Sequence, residues 1–228
     1  MYFDAHIHLV KNSEIKKAQE NGVVGFILNA TSPLDWNNVL NFSKKEKNVY
    51  PCIGIHPWFT QNLFPSWDNE MDVLLQNNPF LMVGEIGLDY LKNNKEEQIV
   101  VFEKCLALAQ KHQRPVHIHC VKAWHDMLRI LKKYSLPKIL FHKFSGSLEV
   151  VNRLCAYNSF FSINKKNVID ILPFDKILTE TDSPSKNMTP NDLVKIVQTL
   201  GINVHQLQTN FQNFISPFDT LKKGKTND

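Results

Sequence analysis

The chain begins with Met1-Tyr2-Phe3-Asp4-Ala5-His6-Ile7-His8, an apolar run that ends in two histidines two residues apart. On a β-strand, residues two apart project to the same face, so His6 and His8 could bind one metal ion together. The pattern alone is weak evidence, because two hydrogen-bonded structural histidines would look the same. His117 and His119 form a second such pair. Whether His6 and His8 form a metal site therefore depends on what other candidate ligands the chain contains.

Further residues of the types that bind metals each follow a separate apolar run. They are Glu85, His119, His142 and Asp182. A fold that gathers the ends of distant strands at one rim would bring these groups together with His6 and His8. We therefore expect one functional site, built from widely separated parts of the chain.

Eight short runs read as β-strands, and most are apolar throughout, as is typical of parallel strands covered on both faces. They are residues 1–6, 23–29, 49–55, 80–85, 115–119, 138–142, 160–163 and 176–181. Helical patterns lie between them, and this alternation predicts a TIM (β/α)8 barrel, an α/β fold. A doubly wound open sheet is the alternative, but it normally binds its ligand at one switch point. The barrel accounts better for candidate groups at most of the strand ends.

Length and composition favour one globular domain, for which we predict residues 1–220, followed by a short basic C-terminal tail over 221–228 that we expect to be frayed and solvated. Hydrophobic residues make up 43% of the chain and charged residues 21%, which excludes general disorder. The net charge of +4 permits an anionic partner without requiring one. The four cysteines are far apart, and the sequence shows no secretory signal or membrane-length apolar segment. We therefore expect a cytoplasmic protein with free thiols and no membrane contact.

The candidate groups are four imidazoles and two carboxylates, a ligand set that suits Zn²⁺ or Mn²⁺, or Mg²⁺ where oxygen ligands dominate. One tetrahedral ion needs fewer ligands. The set therefore predicts two divalent ions (Mg, Mn or Zn) about 3.5–4 Å apart, which share a carboxylate and a water. Such a water loses its proton near neutral pH and can attack an ester bond, so no protein nucleophile is required.

Six stretches of the sequence, in order, resemble the signatures of the TatD family of metal-dependent deoxyribonucleases, within the amidohydrolase superfamily. They are Asp4-Ala5-His6-Ile7-His8, Gly54-Ile55-His56-Pro57, Val83-Gly84-Glu85-Ile86-Gly87-Leu88-Asp89-Tyr90, Pro115-Val116-His117-Ile118-His119, His142-Lys143-Phe144-Ser145-Gly146-Ser147 and Leu178-Thr179-Glu180-Thr181-Asp182-Ser183-Pro184. The resemblance covers nearly the whole chain. It implies a TIM barrel that hydrolyses phosphodiesters with a binuclear divalent site.

The resemblance also implies a role for each ligand. The implied ligands are His6, His8 and Asp182 for one ion, His119 and His142 for the other, and Glu85 between both. Asp182 and Glu85 are the implied catalytic groups: Glu85 bridges the ions, and Asp182 orients or deprotonates the attacking water. The implied partner is a nucleic acid substrate, single-stranded DNA, with no obligate protein partner.

Two features depart from the family pattern, and both concern the substrate. Two positions after the fifth-strand histidine the family usually has arginine, whereas this chain has Val121, followed by Lys122. Lys122 or Lys143 could supply part of the missing phosphate contact. The loop after Ser183-Pro184 is also shorter than is common in the family. We expect the metal chemistry to persist and the substrate specificity to differ.

Several residues near the motifs have two interpretations. His56 ends the third run and either faces the substrate phosphate or makes a structural hydrogen bond at a turn. His117 lies one pleat below His119 on the same face, which makes it a rival ligand by spacing. The aromatic stretch either stacks on bases or covers the barrel mouth. It consists of Trp58, Phe59, Phe64 and Trp67.

Three functional hypotheses follow from these patterns. The leading one is a divalent-metal-dependent deoxyribonuclease or phosphodiesterase that uses a water activated between two ions. In the second, the same metal site hydrolyses an ester or amide bond instead of a phosphodiester, as in deacylation of mischarged aminoacyl-tRNA. The third is a non-catalytic barrel that binds nucleic acid or a partner protein, and it predicts no stoichiometric metal.

Overall fold

The structure is a computed structural model that describes residues 1–216 and 218–224. Its centre is one sheet of eight parallel strands, in which each strand pairs with the next along the chain. The strands are β1 (Tyr2–Ile7), β2 (Val23–Asn29), β3 (Val49–Ile53), β4 (Met82–Asp89), β5 (Val116–Val121), β6 (Ile139–Phe141), β7 (Ser159–Ile163) and β8 (Ile177–Thr179). Beyond β8 the ring closes onto β1 through hydrogen bonds from Asp182 N to His6 O (3.0 Å) and from His8 N to Ser183 O (2.8 Å). The predicted TIM barrel is confirmed.

Nine α-helices lie within the described residues, and most of them cover the outside of the barrel. They are α1 (Asn12–Glu20), α2 (Trp36–Lys45), α3 (Trp67–Asn77), α4 (Lys95–Lys111), α5 (Trp124–Leu131), α6 (Leu148–Leu154), α7 (Leu193–Leu200), α8 (Val204–Ile215) and α9 (Phe218–Gly224). Between β7 and β8 the expected helix is replaced by two short 3-10 helices, Lys166–Ile171 and Phe174–Lys176. None of the described helices is both long and apolar enough to cross a membrane.

Two layers of apolar side chains stabilise the barrel. The larger layer lies between the strands and the surrounding helices. The smaller layer fills the barrel interior, and α8 closes its amino-terminal end with Phe211 and Phe214. Phe211 stacks on Phe3 with ring centroids 4.6 Å apart, and Phe214 packs edge-on against Phe160. Burying each such ring stabilises the folded chain by about 1.5–3 kcal/mol. This end of the barrel is therefore an apolar core.

The fourth strand is longer than predicted. β4 continues to Asp89, and its pairing with β5 shifts register between Val83 and Ile86. Such a shift redirects the side chains that follow it, and a hydrophobic pattern does not reveal it. Glu85 was expected at the end of its strand, and the structure places it within the strand instead.

The C-terminal segment differs from the solvated tail predicted over residues 221–228. Helix α9 crosses the predicted boundary, and the buried Lys222 ammonium donates hydrogen bonds to the main-chain carbonyls of Glu46 and Val49. The prediction is wrong for Lys222, because these oxygens and the ring of Tyr50, 5.2 Å away, replace its contact with water. Residues 225–228 of the predicted tail lie outside the described residues.

Candidate metal centre

The carboxyl-terminal end of the barrel holds the polar side chains that the sequence singled out. The six predicted ligands found there are His6 and His8 from β1 and its end, Glu85 from β4, His119 from β5, His142 after β6 and Asp182 after β8. Five of them line a cavity of about 420 Å³, and His6 is fully buried beneath it. That volume is within the usual range for small-molecule sites.

Glu85 occupies the centre of this group, and its two carboxylate oxygens face different histidines. Oε2 lies 3.4 Å from Nε2 of His6 and 3.4 Å from Nε2 of His8. Oε1 lies 2.8 Å from Nε2 of His142 and 3.0 Å from Nδ1 of His119. Glu85 thus stands between two pairs of histidines, an arrangement that suits a carboxylate shared by two ions.

Asp182 borders the half of the site that contains His8. Its Oδ1 lies 3.5 Å from His8 Nε2. Its Oδ2 accepts hydrogen bonds from Lys143 Nζ at 2.5 Å and from Ser185 Oγ at 3.1 Å. The backbone at Asp182 has a φ of +55°, which is uncommon for residues other than glycine. Positions of this kind are concentrated at functional sites.

The second pair of histidines shows why a cation fits the site. His119 Nδ1 and His142 Nε2 lie 3.0 Å apart, and both face the same Glu85 oxygen. Two lone pairs at this distance repel each other unless a proton or a metal ion lies between the two nitrogens. Imidazole nitrogens and carboxylate oxygens are ligands that divalent transition ions accept. The residues present therefore fit a divalent ion.

Among the described residues, three overlapping sets bring metal-ligating atoms within 4.8 Å of one another. They are His6, His8 and Glu85; His6, His142 and Asp182; and His56, Glu85 and His119. Together these sets contain all six predicted ligands and add only His56. The overlap at Glu85 and His6 indicates one continuous cluster rather than separate sites.

The pKa values of the cluster are set by burial and by the neighbouring charges. Burial opposes the charge on Glu85, but the imidazoles that surround it outweigh burial and hold the pKa of Glu85 well below its usual range. Burial also opposes the charge on His142, but Glu85 and Glu180 outweigh it and raise the pKa of His142 well above its usual value. The metal-free cluster thus combines an anionic centre with protonated imidazole, and a divalent ion would replace those protons.

Two further carboxylates stand behind the second pair of histidines, and the sequence analysis assigned no role to them. Asp89 Oδ2 lies 3.5 Å from Nε2 of His119, the ring nitrogen on the far side from Glu85. Glu180 Oε1 lies 3.5 Å from Nδ1 of His142. A carboxylate in this position fixes which ring nitrogen carries the proton and makes the other a better ligand. Both acids lie within the family-like stretches, and that was the signal that could have found them.

The first pair of histidines has a different environment. His8 Nδ1 lies 3.0 Å from the main-chain carbonyl of Asn29. The His6 ring stacks on His142, with centroids 4.0 Å apart. Neither nitrogen of the His6 ring has a hydrogen-bond partner among the described residues. The first pair thus has one main-chain acceptor behind it, where the second pair has two carboxylates.

His56 points into the cavity as a hydrogen-bond donor. Its Nδ1 accepts a hydrogen bond from the backbone N–H of Trp58 (3.2 Å), so the neutral ring carries its proton on Nε2. That Nε2 lies 3.4 Å from Glu85 Oε1. Burial lowers the pKa of His56, which keeps the ring neutral. A nitrogen that carries a proton cannot bind a metal, so the geometry favours a contact with substrate.

The two lysines predicted to contact substrate occupy different surroundings. Lys143 and Lys122 both follow barrel strands in the left-handed region, with φ of +48° and +55°. Lys143 lines the cavity beside Asp182, whereas Lys122 is exposed and is not among the described residues that line it. Val121 lines a neighbouring cavity of about 260 Å³ together with Lys143 and Lys165. The structure thus brings only Lys143 to the predicted ligands.

His117, the rival ligand by spacing, lies beneath the cluster. It is fully buried, its ring centroid is 6.1 Å from that of His6, and it packs edge-on against Phe214. Burial, with His6 nearby, holds its pKa well below the usual value. It belongs to none of the three ligand sets found among the described residues. His117 is therefore a neutral residue of the barrel interior.

Two glycines of β4 let the fourth and fifth strands carry these groups side by side. A Cβ at Gly87, where φ is +146°, would lie 1.9 Å from the main-chain oxygen of His119. A Cβ at Gly84 would lie 2.5 Å from the Cβ of His117. Larger residues would separate the strands and displace His119.

Comparison with known proteins agrees with this geometry. The family model for TatD related DNase matches residues 3–207. The chain is 26% identical to the human protein named deoxyribonuclease TATDN3, over 96% of this chain and 95% of that protein. It is 27% identical to the Erwinia tasmaniensis 3'-5' ssDNA/RNA exonuclease TatD, over 76% of this chain and 73% of that protein.

Two solved structures share the fold of this chain. The crystal structure of YJJV, a TatD homologue from Escherichia coli, superimposes with a TM-score of 0.84 at 23% identity, over 93% of this chain and 97% of that one. A TatD family hydrolase from Entamoeba histolytica superimposes with a TM-score of 0.77 at 18% identity, over 95% and 98% of the two chains. With the family model matched along most of its length, the chain belongs to the TatD related DNase family.

Proposed function

We propose that this protein is a divalent-metal-dependent phosphodiesterase that cleaves single-stranded nucleic acid, and that DNA is its substrate. The observation that carries the proposal is the position of Glu85, whose two oxygens each face a separate pair of histidines within 3.4 Å. Relatives named as a deoxyribonuclease and as a 3'-5' ssDNA/RNA exonuclease support the choice of bond and of strand form.

In this proposal the site holds two divalent ions, Mg, Mn or Zn. The ligands are His6, His8 and Asp182 on one side, His119 and His142 on the other, and Glu85 between them. When bound, such ions neutralise charge on the attacked phosphoryl group and activate water.

Three side chains around the cavity would then handle the substrate. Asp182 would accept a hydrogen bond from the attacking water. Its neighbours outweigh the effect of burial and hold the pKa of Asp182 well below the usual range. Asp182 would therefore orient the water as a carboxylate rather than keep a proton of its own. His56 would donate its Nε2 proton to an oxygen of the substrate. Lys143, which already donates to Asp182, has further N–H groups for a phosphate oxygen.

The experiment is a substrate panel with a metal panel. We expect release of nucleotides from single-stranded DNA with Mg²⁺, Mn²⁺ or Zn²⁺, and loss of that activity in His119→Ala and Asp182→Ala. The matched control is His205→Ala, an exposed histidine on α8, which should leave cleavage unchanged. Because relatives are named for 3'-5' exonuclease activity, strands blocked at the 3' or the 5' end should be included.

The same panel separates the competing functions. Turnover of aminoacyl-tRNA or simple esters, with none of DNA or RNA, would replace the proposal with acyl hydrolysis at the same site. Binding of nucleic acid without turnover, and without stoichiometric metal by elemental analysis, would leave only a binding barrel. Cleavage of DNA that survives in both alanine variants would contradict the assigned site.

A further inference from the structure

Next to the metal centre, a second cavity of about 430 Å³ is lined mainly by apolar side chains, five of them large. We call it the aromatic groove, and it is defined by Leu34, Trp58, Phe59, Leu63 and Phe64. Trp58 and Phe59 also line the cavity of the metal centre, so the two cavities are adjacent. Trp58 is 53% exposed, Phe59 46% and Phe64 39%. A contiguous exposed apolar patch of this kind marks a binding surface.

Trp58 is held in place at the junction of the two cavities. Its indole Nε1 donates a 2.6 Å hydrogen bond to Asp89 Oδ2, and its ring meets His56 edge-on with centroids 5.1 Å apart. Lys92 Nζ lies 4.6 Å from the ring centroid. A ring fixed by such contacts loses little conformational freedom when a flat ligand stacks on it.

The charge distribution separates the two sides of the metal centre. Within the described part of the chain, no charged side chain lines the aromatic groove, and its polar side chains include the amides Gln61 and Asn62. Across the metal centre, Lys143 and Lys165 line the 260 Å³ cavity. The aromatic groove thus suits a flat, uncharged group with hydrogen-bonding edges, whereas the opposite rim suits phosphate.

We propose that the aromatic groove binds an unpaired nucleobase of the substrate strand, from a nucleotide next to the bond that is cut. The inference rests on the proposed function and names a part of the substrate that the metal centre does not hold. Stacking of a base on an aromatic side chain contributes about 5- to 150-fold in affinity and accepts any base. Bases inside a duplex are already stacked and paired, so the groove selects single strands without a sequence preference.

The test compares a single-stranded DNA with its analogue that lacks one base, with the abasic position placed on either side of the cleaved bond. The wild type should prefer the complete strand at one of these positions, by about 5- to 150-fold in kcat/KM. Trp58→Ala and Phe64→Ala should lose the preference, and Trp58→Phe should keep part of it. Phe174→Ala removes a more exposed phenylalanine that precedes β8, at the other end of the barrel, and should keep all of the preference.

Phe64→Ala makes the result independent of the Trp58 hydrogen bond, because Phe64 does not line the metal-centre cavity within the described residues. Equal cleavage of complete and abasic strands by the wild type would overturn the inference and leave the proposed function standing. So would a dimer by sedimentation that Phe64→Ala converts to a monomer, since a second copy of the chain would then fill the groove. No cleavage of either strand with any metal would remove both proposals.

Discussion

Lys143 gives a test of how the substrate is held, because Lys122 is a matched lysine one strand away. Both follow barrel strands in the left-handed conformation, but only Lys143 lines the metal-centre cavity among the described residues. Lys143→Met removes the ammonium and keeps most of the stem, and Lys122→Met does the same outside the cavity. Net charge changes equally in the two variants, so a difference in oligonucleotide binding between them reports where each lysine lies relative to the cavity.

The expected magnitude follows from the contacts of Lys143. Hydrogen bonds to charged groups contribute about 1.5–3 kcal/mol. Asp182 takes one donor of the ammonium at 2.5 Å and leaves others for a phosphate oxygen. The side chain is 39% exposed, so solvent screens the contact and we take the lower limit, about tenfold in affinity. Loss of one phosphate contact should also reduce the slope of log K against log salt by about 0.7 for a single strand.

The assay is binding of a single-stranded oligonucleotide at several salt concentrations, with Ca²⁺ in place of the catalytic metal. Lys143→Met should bind about tenfold more weakly with the smaller slope, and Lys122→Met should stay close to wild type. Lys143→Arg should recover most of the loss, and metal content should be measured because Asp182 loses its partner. Equal losses, or equal slopes, in the two methionine variants would refute the assignment of Lys143 as the phosphate contact.

Three further predictions concern the metal centre and the barrel beneath it. Asp89→Asn and Glu180→Gln should each weaken metal binding by about 10- to 100-fold in competition with a chromophoric chelator, whereas Asp126→Asn should not. For metal-free protein, lowering the pH below about 6.5 should reduce the free energy of unfolding in urea more for the wild type than for His117→Leu, because the unfolded His117 takes up a proton that the buried ring refuses. His117→Leu should remove up to about 1.4 kcal/mol per pH unit of that loss, and parallel curves would contradict it. Chelation should lower the melting temperature, and Mn²⁺ or Zn²⁺ at 100 times its Kd should raise the free energy of unfolding again by about 2.7 kcal/mol. An unchanged melting temperature on chelation would argue against a bound ion.

The ring of strands and the meeting of the candidate ligands at one rim could be predicted because both depend on short-range pattern and topology. An apolar run that ends in histidine or aspartate is visible in the sequence. Parallel strands in a barrel place their carboxyl ends at one rim whatever the loops between them contain. His142 and Asp182, separated by 40 positions in the chain, therefore needed no structure to be placed together.

What the sequence could not provide was the direction of individual side chains. β4 continues past a register shift, so Glu85 lies within the strand and Asp89 at its end, and a shift of this kind has no hydrophobic signature. Lys122 and Lys143 look equivalent in the sequence, but only Lys143 is among the described residues that line the cavity. The role of Glu180 depends on an approach of 3.5 Å to His142 that no spacing rule encodes.

The two halves of the proposed two-ion centre are not equivalent, because different groups lie behind their histidines. His119 and His142 each have a carboxylate on the ring nitrogen that faces away from Glu85. His8 has only a main-chain carbonyl there, and His6 has no hydrogen-bond partner among the described residues. A carboxylate raises the basicity of the ligand nitrogen more than a neutral carbonyl does. The half that contains His119 and His142 should therefore bind its ion more tightly, and the half beside Asp182, where Lys143 competes for the same carboxylate, should exchange its ion more readily.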